Sequence, residues 1–186
     1  EPTLARAYDK RALARFMQGD TEGAMEDYSR ALEADPTFAR AHNNRGFVRM
    51  KLGQPGEAIG DFSRAIEMRA DYAQAYNNRA AAFLLQGEKE KADRDFERSY
   101  RIRPTFAAVM YFGNRSAARG ENQKALRHYS EAIKLNPRGA AAHRARSKIH
   151  GRLGNHGQSW EDFHRYLELN PDAERRMQEP LNGARD

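Results

Sequence analysis

The strongest constraint in this sequence is internal repetition with a period of about 34 residues. Gly19, Gly53, Gly87, Gly120 and Gly154 recur at spacings of 34, 34, 33 and 34. Five residues after each glycine stands Ala24, Ala58, Ala92, Ala125 and then Ser159. An aromatic follows four later, as Tyr28, Phe62, Phe96, Tyr129 and Phe163. Next come Ala31, Ala65, Ser99, Ala132 and Tyr166, and then Pro36, Ala70, Pro104, Pro137 and Pro171. Ala41-His42-Asn43-Asn44-Arg45-Gly46 also matches Ala75-Tyr76-Asn77-Asn78-Arg79-Ala80. A chain that repeats itself at this period builds one supersecondary unit many times and buries its core by stacking.

Each period holds two amphipathic stretches of about 14 residues, about 20 Å each when helical. The recurrent glycine is placed to close the first, where a positive φ is needed, and the proline to stop the second. Ala at the two small positions lets paired helices approach, and the aromatic is expected to fill the seam between neighbouring hairpins. Pro55 suits the first turn of a helix. No alternation of strand type appears.

A small residue, an aromatic and a proline in fixed register, five times over, resemble the tetratricopeptide repeat (TPR) family. The resemblance covers residues 5–173, read as repeats 5–38, 39–72, 73–105, 106–139 and 140–173 of a single array, with a short tail, 174–186. It implies an all-α, right-handed α-solenoid of antiparallel helix pairs with a concave groove lined mainly by the first helix of each repeat. Repeat 3 is one residue short between Pro104 and Gly113, which predicts a tighter entry into repeat 4. Tyr166, at a small-residue position, predicts looser packing in repeat 5. Glu1-Pro2-Thr3-Leu4 matches the end of a repeat, so the chain reads as a fragment of a longer protein, or as one that self-associates through uncapped ends. The tail reads as a short helical turn up to Glu179, broken by Pro180 and Asn182-Gly183.

Carried over position by position, the resemblance places the groove on Asn43, Asn44, Phe47, Met50 and Lys51 of repeat 2, and on Asn77, Asn78, Leu84 and Leu85 of repeat 3. Met110, Tyr111 and Asn114 follow in repeat 4, then Arg144, Lys148 and Arg152 in repeat 5. Asn44 and Asn78 stand where some members carry an asparagine ladder, and a carboxamide can grip the backbone of an extended peptide. Phe47, Met50, Leu84, Met110 and Tyr111 form an adaptable apolar stretch. Arg144, Lys148 and Arg152 lie at i, i+4 and i+8 on one helix face, where a carboxylate or phosphate would relieve their repulsion. The family's carboxylate clamp for chaperone tails is not matched. Its places hold Asp9, Leu13, Asn44, Gln74 and Asn78, so no chaperone-tail binding through it is expected.

The chain carries 32 Lys+Arg against 26 Asp+Glu. Residues 1–93 sum to −1 and residues 94–186 to +7, which favours an acidic partner. Nucleic acid is the weaker reading, since no aromatic-basic stacking surface is evident. The absence of Cys excludes disulfides and thiolate sites. No apolar run approaches a membrane span, and the Arg and Ala richness suits a bacterial source, cytoplasmic or periplasmic. No phosphate loop or nucleophile motif is present, and no cofactor is called for. His143 and His150 occupy family positions that usually pack, and acidic pairs such as Glu26-Asp27 and Glu161-Asp162 read as surface charge. The chain therefore reads as a non-catalytic protein-interaction scaffold binding an extended peptide or partner protein. The alternative is a regulatory or substrate-recruiting segment of a larger enzyme or assembly.

Overall fold

The stop signals in the sequence end helices where they stand. The computed structural model describes residues 1–173, and these hold ten complete α-helices, helical residues at 171–173 and no strand. In order they are α1 (Pro2–Met17), α2 (Thr21–Ala34), α3 (Ala39–Lys51), α4 (Pro55–Met68) and α5 (Ala73–Leu85). There follow α6 (Lys89–Ile102), α7 (Phe106–Ala118), α8 (Asn122–Leu135), α9 (Ala140–Arg152) and α10 (His156–Glu168). Consecutive odd and even helices pair as hairpins. The tail's short helical turn lies outside the described residues.

All five recurrent glycines take positive φ, between 73° and 87°, at the turn inside each hairpin. An L side chain rarely holds that backbone, which is why the period is punctuated by Gly and not by another small residue. Pro55 opens α4 at its first position, where the missing N–H costs nothing. Pro2, Thr3 and Leu4 match the turn Pro36-Thr37-Phe38 in sequence, yet they belong to α1.

The chain divides into two compact units, the first spanning Glu1–Pro104 with α1–α6 and the second beginning at Thr105 with α7–α10. The residue missing from repeat 3 falls at this boundary. There the hydrogen-bonded turn found at Asp35–Phe38 and Arg69–Tyr72 gives way to extended backbone at Arg103 and Thr105. The Thr105 side chain then caps α7, accepting from the Ala108 amide.

The small and aromatic positions build the cores. In the first unit Tyr28 packs with Ala12, Ala24 and Val48, and Phe62 with Ala58 and Ala82. In the second, Tyr129 packs with Ala125 and Ile149. Phe163, at the equivalent place in α10, is only partly buried. Ser147 and Ser159 replace small apolar residues between α9 and α10, and each hydroxyl donates to the other's backbone carbonyl, at 2.8 and 3.0 Å.

Charges supply a second repeat that overturns one expectation. Asp27 and Asp162 are not surface charges: they are fully and almost fully buried. Arg11 grips Asp27 with two N–H groups at 2.7 and 2.6 Å, and Arg146 grips Asp162 with two at 2.7 Å. Arg45–Asp61 and Arg79–Asp95 repeat the same pair, always 16 residues apart. Three of these arginines also reach a serine on the preceding hairpin, Arg45 to Ser29, Arg79 to Ser63 and Arg146 to Ser130. Each such guanidinium thus ties its own hairpin together and fastens it to its neighbour. Repeat 4 lacks the pair and stacks Phe112 on His128 there, with ring centroids 6.1 Å apart. In the last hairpin His143 is buried between Asp162 Oδ1 and the Pro137 carbonyl, each 3.2 Å from a ring nitrogen.

Gly46 lies in the tightest seam of the first unit. A Cβ there would stand 2.7 Å from the Phe62 ring, too close without displacing a fully buried aromatic. We expect Gly46→Ala to lower stability by about 1–3 kcal/mol despite Ala's better helix propensity. Gly60, in the middle of α4 with open space around it, is expected to behave oppositely, Gly60→Ala gaining about 0.5–1 kcal/mol. Urea titrations of both variants check the pair. Equal signs would mean that propensity, not the seam, controls position 46.

Candidate functional site

In the first unit α1, α3 and α5 present equivalent turns side by side. Phe16 on α1 meets Phe47 on α3 edge to face, with centroids 6.0 Å apart, and the Lys51 ammonium lies 5.4 Å from the Phe47 ring centre. The first helices of this unit leave large apolar side chains in solvent, Leu13 and Met17 on α1, Phe47 on α3, and Leu84 and Leu85 on α5, with Met17 80% and Leu85 68% exposed. Leu13 and Phe47 share one repeat position and Met17 and Leu85 another, with Lys51 at the latter position on α3, and together they form an apolar patch. Met50 turns inward instead, packing on the Phe62 core.

Beside this patch runs a chain of polar contacts across the same three helices. Gln74 donates to Asn78, Asn78 to Asn43, Asn43 to Asn44 and Asn44 to Asp9, at 3.0, 2.9, 3.3 and 3.1 Å. Arg40 closes it with an ion pair to the buried Asp9 at 2.5 Å. Asn43 and Asn77 are 5% and 3% exposed, which leaves them almost no surface to offer a ligand. Asn44 and Asn78 are partly exposed. Each spends one carboxamide hydrogen on the chain and retains a second.

In the second unit α7, α9 and α10 enclose an open cavity of about 450 Å³, within the size range of ligand sites. Met110 and Asn114 of α7 form one wall, and Arg144, Lys148 and Arg152 line it along α9. Tyr166 of α10 closes one end and holds the Arg144 guanidinium 5.4 Å from its ring centre. The Tyr129 hydroxyl donates to Asn114 Oδ1 at 2.9 Å. Burial raises that phenol above its ordinary value, against the opposing charge of Arg152. The hydroxyl therefore stays protonated at neutral pH. Tyr111, partly buried against Phe112, is not among the lining residues. Among the described residues no cluster of three His, Cys, Asp or Glu suits a metal, and no helix is long and apolar enough to cross a membrane.

Two family models match the sequence, one described as TPR repeat over residues 12–53 and 113–154, the other as tetratricopeptide repeat over 37–105. Together they take in well over half of the chain. The chain belongs to the tetratricopeptide repeat family. It is 35% identical over 68 residues to the tetratricopeptide repeat and J domain-containing co-chaperone DNJ1 of Cryptococcus neoformans, covering 37% of this chain and 13% of that protein. It is 42% identical over 60 residues to a UDP-N-acetylglucosamine–peptide N-acetylglucosaminyltransferase of Giardia intestinalis, covering 32% of this chain and 4% of that one. The chain thus spans a small fraction of the curated relatives it matches. Among solved structures, PilF of Pseudomonas aeruginosa superposes with a TM-score of 0.79 at 18% identity, over 90% of this chain and 77% of that one. The first TPR of Spaghetti bound to the HSP90 peptide SRMEEVD superposes with a TM-score of 0.61 at 26% identity, over 64% and 96%.

Within this TPR array the groove positions divide by unit. Phe47, Leu84 and Lys51 lie on the exposed face of the first; Met110, Asn114, Arg144, Lys148 and Arg152 share the cavity of the second. At the fifth position of each repeat the residue passes from Asp9 through Asn43, Asn77 and Met110 to Arg144. The same helical register therefore offers a buried anion in the first TPR hairpin and an exposed cation in the last. Tyr129 and Tyr166 complete the cavity; Tyr129 stands at the recurrent aromatic position, and the sequence signal for Tyr166 is that it replaces the usual small residue.

Proposed function

We propose that the chain is a protein-interaction scaffold that takes an extended segment of a partner protein along the face formed by its first helices. The observation that carries this reading is the exposure of Leu13, Met17, Phe47, Leu84 and Leu85 on α1, α3 and α5 of the first unit, Leu13 matching Phe47 and Met17 matching Leu85 in repeat position. Leaving them in water forgoes about 1.5–3 kcal/mol per fully buried side chain, which a partner's apolar side chains would recover. The free carboxamide hydrogens of Asn44 and Asn78 are set to meet partner carbonyls, fixing a backbone while the patch selects side chains. The family's use as a scaffold, and the peptide held by the Spaghetti repeat, support the same reading.

The test is a panel of fluorescently labelled extended peptides followed by anisotropy, with Met17→Ser/Leu85→Ser as the variant. Both side chains are highly exposed, so the fold should tolerate the change. Peptides retained by the parent should weaken by about tenfold or more, the loss that ~1.4 kcal/mol produces. Equal binding by parent and variant would sink the reading.

The match to the N-acetylglucosaminyltransferase favours a second reading, in which the array recruits substrate proteins for a longer enzyme. The same face would then hold the substrate protein, and the Met17→Ser/Leu85→Ser change introduced into that enzyme should raise KM for protein substrates without changing kcat for short peptides.

A further inference from the structure

We propose that the cavity of the second unit binds an acidic stretch of an extended peptide, with carboxylates at alternate residues. This deepens the proposed function and rests on it. Arg144, Lys148 and Arg152 follow one another every four residues along α9, a rise of about 6 Å per step. An extended chain advances about 3.3 Å per residue and turns every second side chain to the same side. Carboxylates at positions i, i+2 and i+4 therefore recur every 6–7 Å, in step with the three cations. Three adjacent carboxylates would send the middle one to the opposite face.

The cavity suits such a strand. No Asp or Glu is among its lining residues, whereas in the first unit Arg40 is already answered by Asp9. Two of the three cations are partly positioned beforehand: Arg144 by the Tyr166 ring, and Arg152 by a long hydrogen bond to the Ala117 carbonyl at 3.4 Å. Alanines at 117, 140, 141 and 145 keep the floor low, so a backbone can approach the row of charges. The cavity also belongs to the half of the chain that carries the basic excess, +7 over residues 94–186.

The experiment measures binding of three fluorescein-labelled peptides to the whole chain. One carries Glu-Ala-Glu-Ala-Glu, its isomer carries three adjacent Glu and two Ala, and the third has Gln for each Glu of the first. The proposal expects the alternating peptide to bind at least tenfold tighter than its isomer. It further expects Arg144→Gln/Lys148→Gln/Arg152→Gln to erase that difference, with circular dichroism showing the fold retained. Equal binding of the two isomers overturns it in favour of general charge attraction, as does a variant that still tells them apart. Tighter binding of an alternating phosphoserine peptide than of the Glu peptide overturns the choice of carboxylate. A neutral apolar peptide, tested against Met17→Ser/Leu85→Ser, separates this proposal from the scaffold reading: its loss there supports the scaffold whatever the acidic peptides do.

Discussion

Replacing Asp61 by Ala is expected to cost about 3–5 kcal/mol of stability, because it removes one partner of a buried charge network. Asp61 is 3% exposed and accepts from Arg45 at 2.7 Å and Arg49 at 2.7 Å, with the His42 ring 3.7 Å away. Without it two guanidinium groups remain in a poorly hydrated seam with nothing to neutralise them. Urea unfolding followed by circular dichroism reads the loss. A cost below about 1 kcal/mol would place the pair among ordinary surface ion pairs. Replacing both partners, as Arg45→Met/Asp61→Leu, should recover at least half of the loss, since an apolar pair leaves less charge stranded.

The same residue sets an acid dependence. Burial alone would raise the Asp61 carboxyl, but the His42 ring, the Arg45 hydrogen bonds and the charges of Arg45 and Arg49 outweigh it and hold the group below its ordinary value. Asp27 is lowered likewise, chiefly by its hydrogen bonds from Arg11. A depressed folded-state value means that the stabilisation is complete above the unfolded-chain value of about 3.9 and is lost as pH falls below it. The parent should therefore lose stability between about pH 5 and pH 2, and Asp61→Ala should lose less over that range. A parallel decline in both proteins would assign the acid sensitivity to other carboxylates.

Phe62→Ala is the second large effect, about 3–5 kcal/mol. The ring is fully buried, packed on Ala58 and Ala82 with Met50 and Ile59 against it. Removing it opens a cavity between rigid helices that cannot collapse, because Gly46 and the Asp61 network hold the seam. Phe163 occupies the equivalent position of the last hairpin but is only partly buried, so Phe163→Ala should cost less than half as much. Thermal or urea unfolding of both variants gives the comparison. Equal costs would mean that the aromatic serves its own hairpin, and that the covering helix of the next one adds little.

These two predictions draw on different layers of information. Helix ends were legible because Gly and Pro act through the local backbone: a positive φ at residue 19 or 53 depends on no distant partner. The seam aromatics were legible for a related reason, since a fixed period sets equivalent residues in equivalent seams, as it does for Tyr28, Phe62, Phe96 and Tyr129, though not for the partly buried Phe163. Asp27 and Asp162 were misread because a carboxylate's environment depends on what lies across the hairpin. The cue was present, as an Arg 16 residues before each Asp, yet a spacing between charges acquires meaning only when the turn brings the two helices face to face.

The candidate site shows the same division more sharply. The sequence by itself determined that this is a tetratricopeptide array, which helices form its repeated face, and that its basic excess lies in the second half. Only the tertiary structure decided which of those positions are available. Asn43 and Asn77 lie next to Asn44 and Asn78 in the chain, but about 100° of helical rotation carries them from the partly exposed face into the packed one. Arg144, Lys148 and Arg152 line a cavity, and not merely a charged stripe, because Met110 and Asn114 of α7 and Tyr166 of α10 wall them in. Local rules fix where a helix starts and which side is apolar; what stands opposite each side chain is set by the packing of helices distant in the chain.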